Sequence, residues 1–180
     1  PLASLVLGRL AYGGAPYGAP SSGTPDSLQG LTRDEIAAFH ARWWRPDNAA
    51  MIVTGGMTPD QAVAFAERTL GNWTKPVEAL PVVANRAGTP TPPRVVVVDL
   101  PGAGQAAVAA AVRGPRRADP AFYPLSVVNS IIGGGSNGRL FQEVRAKRGL
   151  SYGAYSSLAT RVDGGLLSAT TQTKNESAAE

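Results

Sequence analysis

Apolar positions along the chain recur at two spacings, and the alternation between them divides it into elements. Leu2, Leu5, Val6 and Leu10 keep a helical spacing, so the opening residues read as the end of a helix. Residues 13–30 are rich in glycine and proline and read as turns. Thr32-Arg33-Asp34-Glu35 is a capping box, with Thr32 as N-cap and Glu35 at the third helical position. Ile36, Phe39, His40 and Trp43 then share one helical face, and Arg45-Pro46-Asp47-Asn48 ends it. Ala49 to Thr54 is a continuous apolar run that reads as a buried strand, closed by Gly55-Gly56. Thr58-Pro59-Asp60-Gln61 repeats the capping logic with proline at the first helical position, and the helix runs to Gly71.

Residues 76–93 lose this periodicity and carry five prolines, which reads as a linker. Beyond it, Arg94–Leu100 is a β-branched run predicted as a buried strand, and Gln105–Val112 a second strand. Asp119-Pro120 opens a helix through Ile131–Ile132, which Gly133-Gly134-Gly135-Ser136-Asn137-Gly138 breaks. A helix from Arg139 to Lys147 stops at Gly149, a glycine placed to end it. Tyr152–Ala159 and Gly164–Thr173 alternate as an antiparallel pair, and Asn175-Glu176-Ser177 looks like a helix start. The first residues lack an initiator Met and the last element has barely begun, so the expectation is a chain truncated at both ends.

Composition narrows the chemistry. With 43% hydrophobic and 17% charged residues, the chain can form a core, and disorder is excluded. It has no cysteine and one histidine, His40, so thiolate sites and cysteine nucleophiles are excluded. A catalytic zinc takes three protein ligands, usually with two or more imidazoles, which this chain cannot assemble alone. The net charge of +4 lies wholly in residues 94–180, with ten basic and six acidic side chains against seven of each before them. The arginines are scattered, without the dense basic stripe of a nucleic-acid surface. No apolar run is long enough to span a bilayer.

Six phrases in order resemble the insulinase/pitrilysin family of zinc peptidases, from about Gly14 to Glu180. Gly14-Ala15-Pro16-Tyr17-Gly18 resembles the family's His-Pro-Tyr-Gly turn, with Ala15 in place of histidine. Leu31 to Asn48 resembles its capped helix, and Gly55 to Trp73 the elements closing its first lobe. Asp99-Leu100-Pro101-Gly102 resembles the start of the second lobe. Ile132 to Arg145, followed by Arg148-Gly149-Leu150-Ser151-Tyr152, is the most specific stretch. The resemblance implies an α+β fold in two lobes, each an antiparallel-rich sheet with helices on one face. It places 1–78 in the lobe that bears metal in active members, 79–93 as the linker, and 94–180 in a substrate-clamping lobe. The family's H-x-x-E-H zinc motif does not occur here. Zinc is therefore implied for a longer parent and not for this chain. The implied partners are a peptide or small-protein substrate and a second family-like half, as a homo- or heterodimer. The implied setting is bacterial, periplasmic rather than cytoplasmic. Two alternatives stand beside a peptidase parent: a metal-free subunit that binds substrate or partners an active chain, and a basic nucleic-acid module.

Arg145 and Tyr152 match the family's Arg/Tyr pair, which implies contact with the substrate carbonyl. On chemistry alone, a helix end followed by a tight turn can bring side chains seven residues apart together. A guanidinium and a phenol are suitable donors to an oxyanion. The plainer reading is that Arg145 offsets a helix dipole and Tyr152 is a half-buried strand aromatic. Gly133, Gly134 and Gly135 are candidates for a substrate-guiding loop, against a helix junction that needs positive φ. His40 reads as a packed histidine, not a ligand, and Trp43, Trp44 and Trp73 as packing. Arg113, Arg116 and Arg117 form a basic patch, either solvated or attractive to acidic peptide segments.

Overall fold

The structure, a computed structural model, describes residues 2–180 and divides into two compact units. One is Gly23–Val83. The other joins the described residues of Pro1–Ser22 to Ala84–Glu180. The described residues up to Ser22 thus pack with Ala84–Glu180.

The Gly23–Val83 unit is helical: α2 (Pro25–Gln29), α3 (Arg33–Trp43) and α4 (Pro59–Leu70). All three begin with a reciprocal capping box, at Thr24/Ser27, Thr32/Glu35 and Thr58/Gln61. Each box satisfies amide donors that a helix start otherwise leaves bare. The α3 and α4 starts are those predicted. Short α2 lies within the stretch read as turns, since its box uses Ser27 where Glu or Gln is the usual signal. Arg45 is the unit's buried charge, 3% exposed. It grips Asp47 through Nε (2.5 Å) and Nη2 (2.8 Å), and Nη2 also donates to the Glu78 carbonyl at 2.7 Å. This fork ties the end of α3 to the chain entering the proline-rich stretch.

The expected strand Ala49–Thr54 joins no ladder, and Ile52 is 87% exposed. An apolar run becomes a strand only when another edge accepts its backbone groups, and no strand occurs among the described residues of this unit. Among the described residues, the sheet lies in the other unit. The apolar face of α3 is likewise open: Ile36, Phe39 and His40 are exposed. His40 is stacked on Trp44 (6.0 Å, 21°) rather than buried, and Trp44 also meets Trp73 at 6.0 Å.

The second unit holds α1 (Leu2–Tyr12), β1 (Ala106–Gly114), α5 (Phe122–Gly133), a π-helix (Phe141–Lys147), β2 (Ser151–Thr160) and β3 (Gly165–Thr173). The sheet is antiparallel in the order β1-β3-β2. β3 runs in register from Gly165 opposite Gly114 to Thr173 opposite Ala106. Its other side pairs Gly165 with Thr160 and Thr173 with Ser151, with a bulge between Ser151 and Ala154. Three backbones converge where Gly165 lies, since a Cβ there would fall 2.4 Å from the Pro115 carbonyl oxygen. The hairpin Arg161–Gly164 closes with Arg161 N–H donating to Gly164 O at 2.8 Å.

One knot of contacts joins α1 to this sheet. Tyr12 is buried and meets Tyr17 edge to face at 5.7 Å. Burial raises the pKa of its phenol. The Arg113 guanidinium lies 4.4 Å from the Tyr12 ring and donates to the carbonyls of Ala11 and Ala87. Thr91 Oγ1 donates to Leu10 O at 2.6 Å. Asp163, in the hairpin, accepts the Arg86 amide (3.0 Å) and Nη1 (2.9 Å). The bonds to Leu10 and Ala11, spanning 81 and 102 residues of sequence, explain why the chain's start belongs to this unit.

The Arg94–Leu100 run differs from the prediction. It carries no ladder, though exposure alternates as in an extended segment: Val95 93%, Val96 45%, Val97 87%, Val98 51%. Val95 to Val98 line an apolar groove together with residues of α1 and β1, but no neighbouring edge takes up the run's hydrogen bonds.

Hydrogen bonds hold four carboxyls below their ordinary pKa: Glu35 (Thr32), Asp47 (Arg45), Glu143 (Lys147) and Asp163 (Arg86). A carboxyl depressed in the folded state contributes stability above its unfolded pKa and loses it as pH falls through the folded value. Melting temperature is therefore expected to hold steady down to about pH 4, then fall. Asp163→Asn should flatten that acid limb; a limb unchanged in thermal melts would show that the Arg86 contact contributes nothing.

A candidate substrate-contact site at the head of β2

Two sequence features build the site. The first is the end of the π-helix. Gly149 takes φ +65°, a left-handed conformation that glycine adopts without a Cβ penalty. Its N–H donates to Arg145 O (3.2 Å), and Leu150 N–H donates to Val144 O (3.0 Å). The chain therefore reverses at once into β2, and Arg145 and Tyr152 meet: the guanidinium carbon lies 5.8 Å from the phenol ring centroid. That is within cation–π range. Both side chains are exposed, Tyr152 at 90%. The structure thus brings this predicted pair together, and Tyr152 is not the half-buried aromatic of the plainer reading.

The second feature is the bulge. Gly153 supplies the space in which the Tyr155 ring lies, since a Cβ would come 2.5 Å from Tyr155 Cε2. Tyr155 in turn meets Phe141 of the π-helix at 5.9 Å. Thr171 Oγ1 donates to Gly153 O at 3.0 Å, and Thr173 Oγ1 donates to Leu150 O. The backbone on either side of Tyr152 is thereby fixed to β3 while its side chain projects outward. These supporting residues were not picked out from the sequence. Their signal was a glycine inside an alternating strand, which marks a bulge or a close approach. Beside Tyr152 lies a shallow cavity of about 270 Å³, bordered also by Ala3, Ala107, Tyr155, Thr170 and Gln172. Its size suits one side chain, below the usual range for a whole small-molecule ligand.

The glycine run differs from the helix-junction reading of it. None of its glycines has a positive φ, so the expected conformational demand is absent. Gly133 is buried at a close approach instead, where a Cβ would lie 2.5 Å from Ser156 N and 2.9 Å from Leu140 Cδ1. Gly138 packs against Gly133 itself, with 2.8 Å from its would-be Cβ to Gly133 Cα. Gly134 is exposed, and Gly135 has open space around it. The run seats the end of α5 on β2, where Ser156 Oγ also donates to Asn129 O at 3.2 Å.

No group of three or more His, Cys, Asp or Glu side chains that could hold a metal occurs among the described residues. His40, stacked on Trp44, has no such company. The donor set of this chain does not fit a zinc site. Also among the described residues, no helix is long and apolar enough to cross a membrane.

An α+β unit with an exposed Arg/Tyr pair after a glycine-capped helix matches the class to which the motifs pointed. The chain belongs to the peptidase M16 family: residues 30–180 match the family model described as the peptidase M16 inactive domain. It is 35% identical over 170 residues to an uncharacterized zinc protease of Mycobacterium bovis, covering 93% of this chain and 38% of that protein. A solved structure described as a peptidase M16 inactive domain from Pseudomonas fluorescens superposes with a TM-score of 0.83 at 32% identity, over 97% of this chain and 42% of that one. The beta subunit of the mitochondrial-processing peptidase of Lentinula edodes is 28% identical over 134 residues, covering 71% of this chain and 28% of that subunit. The chain thus spans less than half the length of these proteins. The resemblance to the insulinase/pitrilysin zinc peptidases and the α+β class are both borne out.

If Gly133 serves packing, Gly133→Ala should cost about 1–3 kcal/mol through overpacking against β2. Gly135→Ala should stay within about 0.5 kcal/mol. Chemical denaturation of the two variants checks this, and equal stabilities would contradict the packing role.

Proposed function

We propose that this chain is the substrate-contacting part of a longer peptidase, with Arg145 and Tyr152 donating hydrogen bonds to a carbonyl oxygen of the bound peptide. The observation that carries the reading is the pair itself. The Arg145 guanidinium lies 5.8 Å from the centre of the Tyr152 ring, both side chains are exposed, and Tyr152 borders a cavity sized for one side chain. A guanidinium presents N–H donors in a fixed fork and a phenol presents one O–H donor. Donors aimed at a carbonyl oxygen stabilise the negative charge that develops as the amide is attacked. Their fixed backbone means little reorganisation is needed when that charge appears. The zinc suggested by the relatives' names belongs, in this reading, to the rest of the longer protein or to a partner half.

A second reading is a metal-free subunit assembling with an active chain; its assembly part is in keeping with the Lentinula edodes relative, which is named as a subunit. A second family-like chain that co-purifies and carries H-x-x-E-H would support it.

In the full-length protein, Arg145→Ala is expected to lower kcat by about 10²-fold or more with folding retained. Tyr152→Phe, which keeps the ring and removes the donor, should lower kcat more than it changes KM. Peptide-hydrolysis kinetics check both, and unchanged kcat values in well-folded variants would sink the role.

A further inference from the structure

At the far end of β2 from Tyr152, about 30 Å away along the strand, a second set of cationic side chains gathers on the Arg161–Gly164 hairpin. Arg117 N–H donates to Arg161 O at 2.9 Å, which sets these two residues side by side. Arg116 is close enough to act on the Asp163 carboxyl, which Arg86 already pairs at 2.9 Å. The five arginines differ in what their donors do. Arg86 is spent on Asp163, and Arg113 on three backbone carbonyls. Arg116, Arg117 and Arg161 are exposed, and among the described residues none has a carboxylate within 4.0 Å.

Two of these three are nonetheless held in place. The Arg117 guanidinium lies 3.9 Å from the Phe122 ring centroid, and that of Arg161 lies 4.7 Å from the Tyr17 ring. Aromatic stacking restrains a guanidinium while leaving its N–H edge free for a planar acceptor. Ordered donors lacking an acid differ from scattered surface charge, whose side chains lose entropy on pairing and gain little.

We propose that Arg116, Arg117 and Arg161 form a docking surface for an acidic peptide segment, whose Asp or Glu carboxylates take up the guanidinium edges. The geometry favours carboxylates over a nucleic-acid backbone on two grounds. The Phe122 and Tyr17 rings have guanidinium groups over them, so these faces are not stacking platforms for bases. The cluster is confined to one hairpin and the loop beside it, where a phosphate backbone needs a track of cations. The surface stands independently of hydrolysis, so its success or failure is separable from that of the Arg145/Tyr152 pair.

The test is fluorescence anisotropy of fluorescein-labelled hexaglutamate titrated with the full 180-residue chain at fixed ionic strength. The Arg117→Glu/Arg161→Glu variant is expected to bind about tenfold or more weakly, since hydrogen bonds to charged groups are lost at both positions. Arg94→Glu/Arg139→Glu, with the same change in net charge at two exposed arginines, should stay within about twofold of the parent. The Arg117→Lys/Arg161→Lys variant keeps both charges and the fold, checked by circular dichroism. It should still bind more weakly than the parent, because lysine lacks the planar fork. Equal losses in the two Glu variants would overturn the proposal, as would full affinity in the Lys variant. Displacement of the peptide by a short DNA duplex at lower concentration than by unlabelled hexaglutamate would also overturn it, in favour of a nucleic-acid surface.

Discussion

The geometry around the candidate site depends on β3 being hydrogen-bonded along both sides. A central strand in a three-stranded antiparallel sheet fixes two registers at once, and a one-residue slip in either would turn every side chain to the other face. Here the two registers meet at Gly165, opposite Gly114 on one side and Thr160 on the other. With that end pinned, the bulge at the other end of β2 is accommodated locally and directs Tyr152 outward beside Arg145. The glycine at 149 and the space at 153 matter because they join a helix end to a register already set.

The two ends of β2 have opposite character as a result. At its head Arg145 meets Tyr152, which borders a small cavity and whose flanking backbone is held by threonine bonds from β3. At its tail, guanidinium groups lie over aromatic rings around a hairpin whose carboxylate is already paired. The Tyr12–Arg113 knot ties α1 to this frame, which is how residues far apart in sequence share one unit.

Much of this was legible in the residues, because the signals were local. The Thr32 and Thr58 capping boxes, the β2–β3 hairpin and the helix-ending Gly149 each rest on contacts between near neighbours in sequence. The Arg145/Tyr152 meeting was legible too, since seven residues across a glycine turn leave little freedom. Where pattern and structure parted, the deciding interaction was distant. Ala49–Thr54 and Arg94–Leu100 have strand composition, yet a strand requires an edge to bind, which composition cannot supply. Gly133 was judged by backbone freedom when its requirement was the close approach of Ser156, twenty-three residues on. The allegiance of α1 rests on Arg113 and Thr91, which no periodicity reveals.

The central claim is that the head of β2 is where this chain touches peptide. Its most direct test is a nuclear magnetic resonance titration of the isotope-labelled chain with an uncharged extended peptide. The Arg145 side-chain N–H and the Tyr152 and Gly153 amides are expected to shift together, with one saturation curve. Shifts gathered elsewhere on the chain, with these three signals unmoved, would contradict the account.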